Sequence, residues 1–328
     1  MSRRQCLRSA AGLGAGLLLA PPWAWAAAGS ARCWDQRRLV GFGTTLSLTV
    51  GADTAQQVDR ALDAGVADIR RIEALMSLFR PDSALQQLNA QGQWAWPDPW
   101  LLDVLLRARQ VSQRSQGAFD VTVQPLWTVW QQAQATQRLP EPQQLADALQ
   151  RVGWQHVLLT PERIALTRSG MALTLNGIAQ GYAADRVRER WQRMGVRHAL
   201  IDCGEWTALG RDAQGRGWQL GIADPRDAQR VMRRVAASGL SVATSADSQT
   251  YFTPDRRNHH ILDPHTGRSP SGLSSVTVVA KQATLADALT KVLFMAASPE
   301  QALQLARRWG VLALAVGKDG RWRASPGL

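Results

Sequence analysis

Lysine is nearly absent from this chain of 328 residues, since only three of its 38 lysine and arginine residues are lysines. The formal net charge is nevertheless +12, because aspartate and glutamate together number 26. The arginines are spread along the whole sequence and no nucleic-acid-binding motif accompanies them, which argues against a nucleic-acid partner. We interpret the arginine excess as a coding bias. The charge then indicates no more than attraction to acidic ligands or membrane surfaces.

Cysteine is also scarce, and Cys6, Cys33 and Cys203 are the full set. None belongs to a C-x-x-C pair or to another metal-ligand spacing, which argues against a structural zinc site. Cys33 and Cys203 would both remain in a mature exported chain, and two cysteines in an oxidising compartment can pair. The sequence leaves their pairing open.

Long apolar runs are missing as well. Beyond the N-terminus no segment reaches the roughly 18 apolar residues of a transmembrane helix, so we predict no transmembrane span in the mature chain. The apolar run at 10–20 is too short to span a bilayer, and Ala24-Trp25-Ala26 after it has the form of a signal-peptide cleavage site.

A pair of arginines, Arg3 and Arg4, precedes this run and matches the twin-arginine export pattern, although Cys6 stands where that pattern usually has Phe. We therefore predict a twin-arginine signal peptide at 1–26, one domain at 27–328 and a periplasmic location. An N-terminal membrane anchor that is not cleaved is the alternative.

Hydrophobic periodicity and turn residues predict the elements of the domain. Helices are predicted at 54–78, 98–115, 126–150 with a break near Pro140, 178–194, 286–296 and 299–309. Strands are predicted at 39–50, 156–160, 164–167, 172–175, 199–202, 218–222, 231–235, 240–243, 260–262, 275–279 and 311–316. A helical first half packed on a β-rich second half indicates the α+β class rather than regular βαβ alternation.

The segment at 174–182 carries a possible phosphate site, because Gly177 follows a predicted strand and opens a predicted helix. Backbone N–H groups at such a turn, together with the positive end of the helix, favour a phosphate. Glycines that only allow close packing in an ordinary strand-to-helix turn would explain the same pattern.

Three of the five histidines, His259, His260 and His265, lie within seven residues around an Asp263-Pro264 turn. The turn itself needs no function. Imidazole is the usual proton carrier near neutral pH, which makes this segment a candidate for proton transfer.

Asp287 has two interpretations. Thr284-Leu285-Ala286-Asp287 has the form of a capping box in which the carboxylate completes a helix N-terminus. A carboxylate at this place could equally hold a hard cation that bridges phosphate oxygens. The spacing does not separate the two.

Seven short motifs follow one another along the chain. They are 43–45 (GTT), 76–83 (MSLFRPDS), 117–123 (GAFDVTV), 175–186 (LNGIAQGYAADR), 243–245 (ATS), 260–267 (HILDPHTG) and 286–289 (ADAL). In this order they resemble the FAD:protein FMN transferase family, the ApbE proteins, over essentially the whole mature chain. The version at 173–182, together with the export signal, is most similar to the NosX-type branch, which serves nitrous-oxide reductase maturation.

The resemblance implies a T-fold-like flavin transferase architecture that binds FAD and Mg²⁺. Such proteins pass the FMN half of FAD to a Ser or Thr hydroxyl of a partner protein as a phosphoester and release AMP. The FAD-binding residues would be Phe42, Ser77, Phe79, Ala118, Phe119, Asp120, Thr174, Asn176, Gln180 and Ile261. The cation would be held by the Gly177 carbonyl, by Asp287, which acts in catalysis through it, and by a hydroxyl one turn later. His260 is the candidate proton carrier.

Three positions depart from the family pattern. Thr174 stands where Asp is usual, Gln180 stands where Lys or Glu is common, and Lys291 replaces the metal-ligating Thr. Thr290 lies one position earlier, about 100° around the helix. Because an ammonium does not ligate a cation, several arrangements are open. Thr290 or water takes the ligand position, the metal site is weakened, or Lys291 itself neutralises the pyrophosphate.

These features lead us to expect an exported enzyme that flavinylates a membrane redox partner, the regulatory flavoprotein that delivers electrons to nitrous-oxide reductase. A non-catalytic FAD-binding maturation scaffold or flavin carrier is the main alternative. A dehydrogenase that uses FAD as its redox cofactor is a third, but the glycine turn lacks the G-x-G-x-x-G pattern.

Overall fold

The computed structural model describes residues 32–328, so the predicted signal peptide at 1–26 lies outside the described residues and stays a prediction. The helices are α1 (Ala55–Met76), α2 (Ala84–Gln91), α3 (Pro99–Arg114), α4 (Gln124–Ala135), α5 (Pro142–Leu149), α6 (Ala179–Arg193), α7 (Ala283–Phe294) and α8 (Pro299–Trp309). The strands are β1 (Cys33–Gly41), β2 (Thr44–Ala52), β3 (Gln93–Ala95), β4 (Val157–Leu159), β5 (Arg163–Leu166), β6 (His198–Asp202), β7 (Trp206–Leu209), β8 (Gln219–Ala223), β9 (Val231–Ala236), β10 (Ser241–Ala246), β11 (Leu273–Ala280), β12 (Leu312–Gly317) and β13 (Trp322–Ala324).

An eight-stranded antiparallel sheet, in the order β1-β2-β6-β7-β10-β11-β12-β13, forms the centre of the molecule. Helices α1, α6 and α7 pack on it and on one another. This arrangement of helices against an antiparallel sheet confirms the predicted α+β class.

Successive residues of β12 show how the sheet serves two cores. Ala313 and Ala315 belong to the large core beneath the helices, whereas Leu314 and Val316 belong to a second core that includes residues of β8 and β9. Because successive strand residues point to opposite faces, the apolar run in this strand covers both sides of the sheet.

Helix α1 follows the predicted pattern. The hydroxyl of Thr54 accepts a hydrogen bond from the Gln57 N–H, and the Gln57 side chain accepts one from the Thr54 N–H, so a capping box forms at the predicted start of the helix. The starts of α3 at Pro99 and of α8 at Pro299 are confirmed as well.

The strand predicted at 39–50 is wrong, because the segment forms a hairpin. Strand β1 ends at Gly41, the chain turns through Phe42 and Gly43, and β2 returns antiparallel to it. The backbone φ angles of Phe42 and Gly43 are +50° and +73°. Two successive left-handed residues make the tight turn that joins twisted strands, and a bulky Phe in the first place hides this signal.

Two further predicted strands do not form. The segment at 172–175 is attached to the rest of the protein through a hydrogen bond from the Thr174 N–H to the Val121 carbonyl, and not through a ladder. The segment at 260–262 lies in a loop in which the His260 N–H bonds to the Thr250 carbonyl. Both are extended loop segments with tertiary contacts, which have the same apolar alternation as strands.

The predicted helix at 126–150 is divided into α4 and α5, with the break at the prolines where it was expected. Helix α2 and the short strands β3, β7 and β13 were not predicted.

The strand register shows whether Cys33 and Cys203 can form a disulfide. Cys33 pairs with Ala52 at one end of the β1–β2 ladder, whereas Asp202, which precedes Cys203, pairs with Ser47, five residues away from Ala52 along β2. Disulfides need Cα atoms within about 7 Å, so these two cysteines do not pair with each other. Within residues 32–328, no helix combines the length and the apolar character needed to cross a membrane.

Candidate functional site

The N-termini of α6 and α7 meet closely because Gly181 has no side chain. A Cβ atom at this position would lie 2.3 Å from the Ala283 carbonyl oxygen and 2.8 Å from Cβ of Asp287. Both distances are shorter than real Cβ contacts, so only glycine allows the first turn of α6 to approach α7.

Each of these two helices supplies a carboxylate to the N-terminus of the other. Asp287 of α7 accepts a hydrogen bond from the Gly181 N–H of α6 (3.1 Å), and Asp185 of α6 accepts from the N–H groups of Ala283 (2.9 Å) and Thr284 (2.8 Å) of α7. A negative charge at a helix N-terminus satisfies the unpaired N–H groups and is favoured by the helix dipole.

The capping box predicted at 284–287 is therefore wrong. Helix α7 begins at Ala283, which places Thr284 inside the helix, and the Thr284 hydroxyl donates to Asp185 at 2.6 Å. Asp287 is a cap, but for α6 rather than for its own helix. A contact across 106 positions of sequence leaves no local signal.

The second oxygen of the Asp287 carboxylate faces an ammonium. Lys291 Nζ lies 2.5 Å from Asp287 Oδ1 and 3.2 Å from the Asp287 carbonyl oxygen. Asp287 is fully buried and the Lys291 side chain is 20% exposed. A Cβ on Gly177 would lie 3.3 Å from both Cε of Lys291 and the ring of Phe119, so the predicted glycine turn, Lys291 and Phe119 meet at one place.

Thr290 is directed elsewhere. Its buried hydroxyl donates to the Asp287 carbonyl at 2.7 Å and lies 2.7 Å from the Ser245 hydroxyl of β10. These bonds join α7 to the sheet, and they leave the Thr290 hydroxyl away from the Asp287 carboxylate.

The residues around Asp287 do not fit a divalent cation as they are placed. A backbone N–H and an ammonium take the two carboxylate oxygens, and the Thr290 hydroxyl has its own partners. Among residues 32–328, no cluster of three or more His, Cys, Asp and Glu side chains is arranged to hold a metal ion. Magnesium binding by Gly177, Asp287 and Thr290 stays a prediction from the resemblance.

A buried acid that the sequence analysis missed, Glu205, adds to the charges here. Burial raises the pKa of Glu205 well above its ordinary value, the Asp287 charge raises it further, and Lys291 lowers it. Its Oε2 accepts a hydrogen bond from the Thr244 N–H at 3.1 Å. The preceding Gly204 has φ +106°, and a Cβ there would lie 2.5 Å from the side chain of Gln180. The sequence signal for this buried acid is the position of Glu205 between the apolar segments that form β6 and β7.

Three of the residues implied for the flavin lie together at the end of α1. Ser77 is the C-cap that follows the last residue of this helix, and its hydroxyl accepts from the Phe79 N–H at 3.1 Å. Glu73 of α1 accepts from the Phe42 N–H at 2.8 Å, which attaches the β1–β2 turn to the helix. The Phe79 ring, 63% exposed, lies beside Gly43 of that turn. An exposed aromatic ring over a fixed turn offers an apolar surface to a planar ligand.

Asp120 holds its own loop in place. Its Oδ1 accepts from the N–H and the hydroxyl of Thr122, and its Oδ2 accepts from the Trp154 N–H at 2.9 Å. Burial raises the pKa of Asp120, and the Thr122 hydrogen bonds oppose the rise. Asp120 therefore positions the neighbouring Ala118 and Phe119 through the backbone. In the next loop, the Thr174 hydroxyl accepts from the N–H of the exposed Asn176.

The histidine loop is attached to the same region. His265 Nε2 lies 3.0 Å from the Gln116 carbonyl, which fixes the loop to the segment that leads to Phe119. Ile261 is buried in the large core. His260 Nδ1 lies 2.9 Å from the Thr250 carbonyl. Because a carbonyl only accepts, Nδ1 carries the proton of the neutral ring and Nε2 is the basic nitrogen.

His259 has a different environment from His260. Its ring packs edge-on against Phe294 of α7, with 5.4 Å between the ring centres. Burial lowers the pKa of His259 to about 3, and the charges of Lys318 and His260 lower it as well. His259 is therefore a neutral core residue.

Known proteins provide the comparison for this geometry. The model of the ApbE family matches residues 42–315. The FAD:protein FMN transferase of Treponema pallidum is 32% identical over 295 residues, covering 84% of this chain and 82% of that protein. The crystal structures of the flavinyl transferase ApbE of Pseudomonas stutzeri and the ApbE protein of Thermotoga maritima are each 28% identical, with TM-scores of 0.78 and 0.80. Each covers 90% of this chain, which in turn covers 96% and 97% of theirs. The chain belongs to the ApbE family.

Proposed function

We propose that this chain is an FAD:protein FMN transferase, which binds FAD, attaches the FMN half to a Ser or Thr hydroxyl of an acceptor protein and releases AMP. The observation that carries the proposal is the meeting of Gly177, Phe119 and the Lys291–Asp287 pair where α6 and α7 begin. The names of the relatives support the same activity.

The geometry fits the chemistry of phosphoryl transfer from a pyrophosphate to a hydroxyl. The acceptor oxygen forms a bond to the phosphorus of the FMN half, and the bond from that phosphorus to the bridging oxygen breaks, so its electron pair leaves with AMP. Such reactions depend mostly on positioning and on compensation of negative charge. Helix N-termini and an ammonium lie at the glycine turn, and the basic Nε2 of His260 is the group that we assign to accept the hydroxyl proton.

Export and the partner form the finer part of the proposal. The pair Arg3-Arg4, the apolar run and the Ala24-Trp25-Ala26 site support a periplasmic location reached by twin-arginine export. The form of the motif at 173–182 supports a role in nitrous-oxide reductase maturation, with its membrane regulatory flavoprotein as acceptor. Replacing Arg3 and Arg4 together with lysine tests the export step, and undiminished export of that variant would exclude the twin-arginine route.

A non-catalytic FAD-binding scaffold is the second candidate, and one observation favours it. The Asp287 carboxylate that the family resemblance assigns to a metal is bound by Lys291 instead. A scaffold would bind FAD and leave every acceptor unmodified.

One experiment separates the two candidates. The mature chain is incubated with FAD and the flavin domain of the candidate acceptor, with and without Mg²⁺, and the acceptor is examined by intact mass while AMP is measured. A transferase gives covalent FMN and AMP in equal amounts, and an acceptor with its target hydroxyl replaced by Ala stays unmodified. FAD that is bound and recovered intact, with no adduct under any condition, would establish the scaffold.

A further inference from the structure

We infer that the Lys291 ammonium supplies the positive charge beside the FAD pyrophosphate, so that flavin transfer by this chain does not require a divalent cation at Asp287. The inference deepens the proposed function and rests on it.

The first observation is the place of the ammonium. Lys291 is one helical turn after Asp287, and its Nζ lies 2.5 Å from Oδ1 and 3.2 Å from the carbonyl oxygen of the same residue. A carboxylate oxygen and a backbone carbonyl are the donors that a hard cation would use. The ammonium thus holds two oxygens at the position where a metal ion would have to bind.

The second observation is steric and electrostatic. A magnesium ion binds carboxylate oxygens at about 2.1 Å. If it bound Oδ1, it would lie within about 4.6 Å of Nζ, and both ions are positive. The Lys291 stem runs beside Gly177, where a Cβ would lie 3.3 Å from Cε, so the ammonium is held at the glycine turn.

The third observation concerns the other possible ligand. The Thr290 hydroxyl donates to the Asp287 carbonyl and bonds to Ser245, both at 2.7 Å. To reach a metal ion at the carboxylate, it would have to give up the bonds that join α7 to β10. Thr290 therefore does not supply the hydroxyl that is lost where Lys291 replaces Thr.

The surrounding charges indicate what removal of the ammonium would do. Asp287 and Glu205 are both buried acids. The charges of Asp287 and Asp202 raise the pKa of Glu205, and the positive charge of Lys291 lowers it. Without the ammonium, the two acids lack this counter-charge. A neutral residue at 291 should therefore create affinity for a divalent cation that the natural chain does not have.

The role of Lys291 in the reaction follows from the negative charge that develops on the leaving phosphate. When the bridging P–O bond breaks, its electron pair goes to the phosphate of AMP, and the hydroxyl proton of the acceptor goes to His260. A fixed ammonium at the glycine turn compensates the charge on the leaving phosphate. Removal of one preorganised donor to such a charge commonly costs about 10²–10³ in rate.

The test compares four proteins: the natural chain, Lys291→Thr, Lys291→Met and the matched control Lys281→Thr, which removes an exposed lysine just before α7. Binding of Mn²⁺ alone is measured first by electron paramagnetic resonance, without FAD or acceptor. We expect no saturable site in the natural chain and the control, and one site in Lys291→Thr. A site of equal affinity in the natural chain would overturn the inference.

Transfer rates then follow in EDTA and in Mg²⁺. The natural chain and the control should change less than about twofold between the two conditions, whereas Lys291→Met should lose about 10²–10³ in EDTA. Lys291→Thr should recover activity only with Mg²⁺. A natural chain that stops in EDTA would contradict the inference. If no protein transfers FMN under any condition, the proposed function fails, and the Mn²⁺ titration alone still decides whether Lys291 excludes the cation.

Discussion

Replacement of Gly181 by Ala tests the contact that brings α6 and α7 together. The added Cβ would lie 2.3 Å from the Ala283 carbonyl oxygen, which is backbone and cannot rotate away. Helix α7 would have to move by most of an ångström, and the bond from the Gly181 N–H to Asp287, already 3.1 Å, would break. We expect the reciprocal caps to fail together.

The magnitude follows from three contributions. Overpacking of a core typically costs about 1–3 kcal/mol, and the loss of a hydrogen bond to a charged group costs about 1.5–3 kcal/mol. Alanine returns up to about 1 kcal/mol through its higher helix propensity. We expect the free energy of unfolding of Gly181→Ala to fall by about 1.5–5 kcal/mol.

Gly65→Ala in α1 is the matched control, because the nearest atoms to a Cβ there belong to the side chains of Leu48 and Trp191, each at 3.0 Å, and not to backbone of a neighbouring element. Its stability should change by less than about 1 kcal/mol, since side chains can adjust and helix propensity improves. Urea denaturation of both variants measures the difference. Equal stability of Gly181→Ala and the natural chain would refute the close-contact argument.

Three further predictions concern single side chains. His260→Ala should slow transfer by about 10²–10⁴ while FAD affinity is retained, and loss of FAD binding in a fluorescence titration would make His260 a pocket residue instead. The free energy of unfolding should decrease as the pH is lowered from 6.5, the ordinary pKa of histidine, toward the pKa of about 3 that His259 has in the folded chain. The slope should be about 1.4 kcal/mol per pH unit, because in this range only the unfolded chain binds the proton. His259→Gln should flatten that part of the urea-derived stability curve, and an unchanged slope would contradict the assignment. Asp185→Asn should lower the free energy of unfolding by about 1.5–3 kcal/mol, because an amide has one acceptor oxygen for the N–H groups of Ala283 and Thr284; a thermal or urea transition at the natural position would contradict the capping role.

Local patterns decided how far the sequence could predict the fold. Helix α1 carries its capping box and its apolar stripe within one segment, so its start was predicted from Thr54. The β1–β2 hairpin was missed because Phe42, an unusual residue for a left-handed turn, interrupts no apolar pattern. Segment 172–175 looks like a strand because its side chains are alternately buried, but its backbone has no neighbouring strand.

The candidate site shows the same limit more strongly. The motifs led to Gly177, Phe119 and Asp287, and the structure places the first two against Lys291, the ion-pair partner of Asp287. The role of Asp287 as a cap for α6 and the burial of Glu205 beside it depend on contacts between distant segments. No spacing rule reports a partner that lies 106 positions away.

The crossed caps of α6 and α7 also affect when the site can form during synthesis. The carboxylates and the N–H groups that they satisfy are separated by 98 to 106 positions, so the loop between them has to close before either helix start is complete. Closing a loop of this length is entropically costly, and contacts of such separation form slowly. A ribosome must release residue 287 before the α6 N-terminus acquires its acceptor. We therefore expect nascent chains arrested before α7 to lack FAD affinity and flavin loading to follow translation.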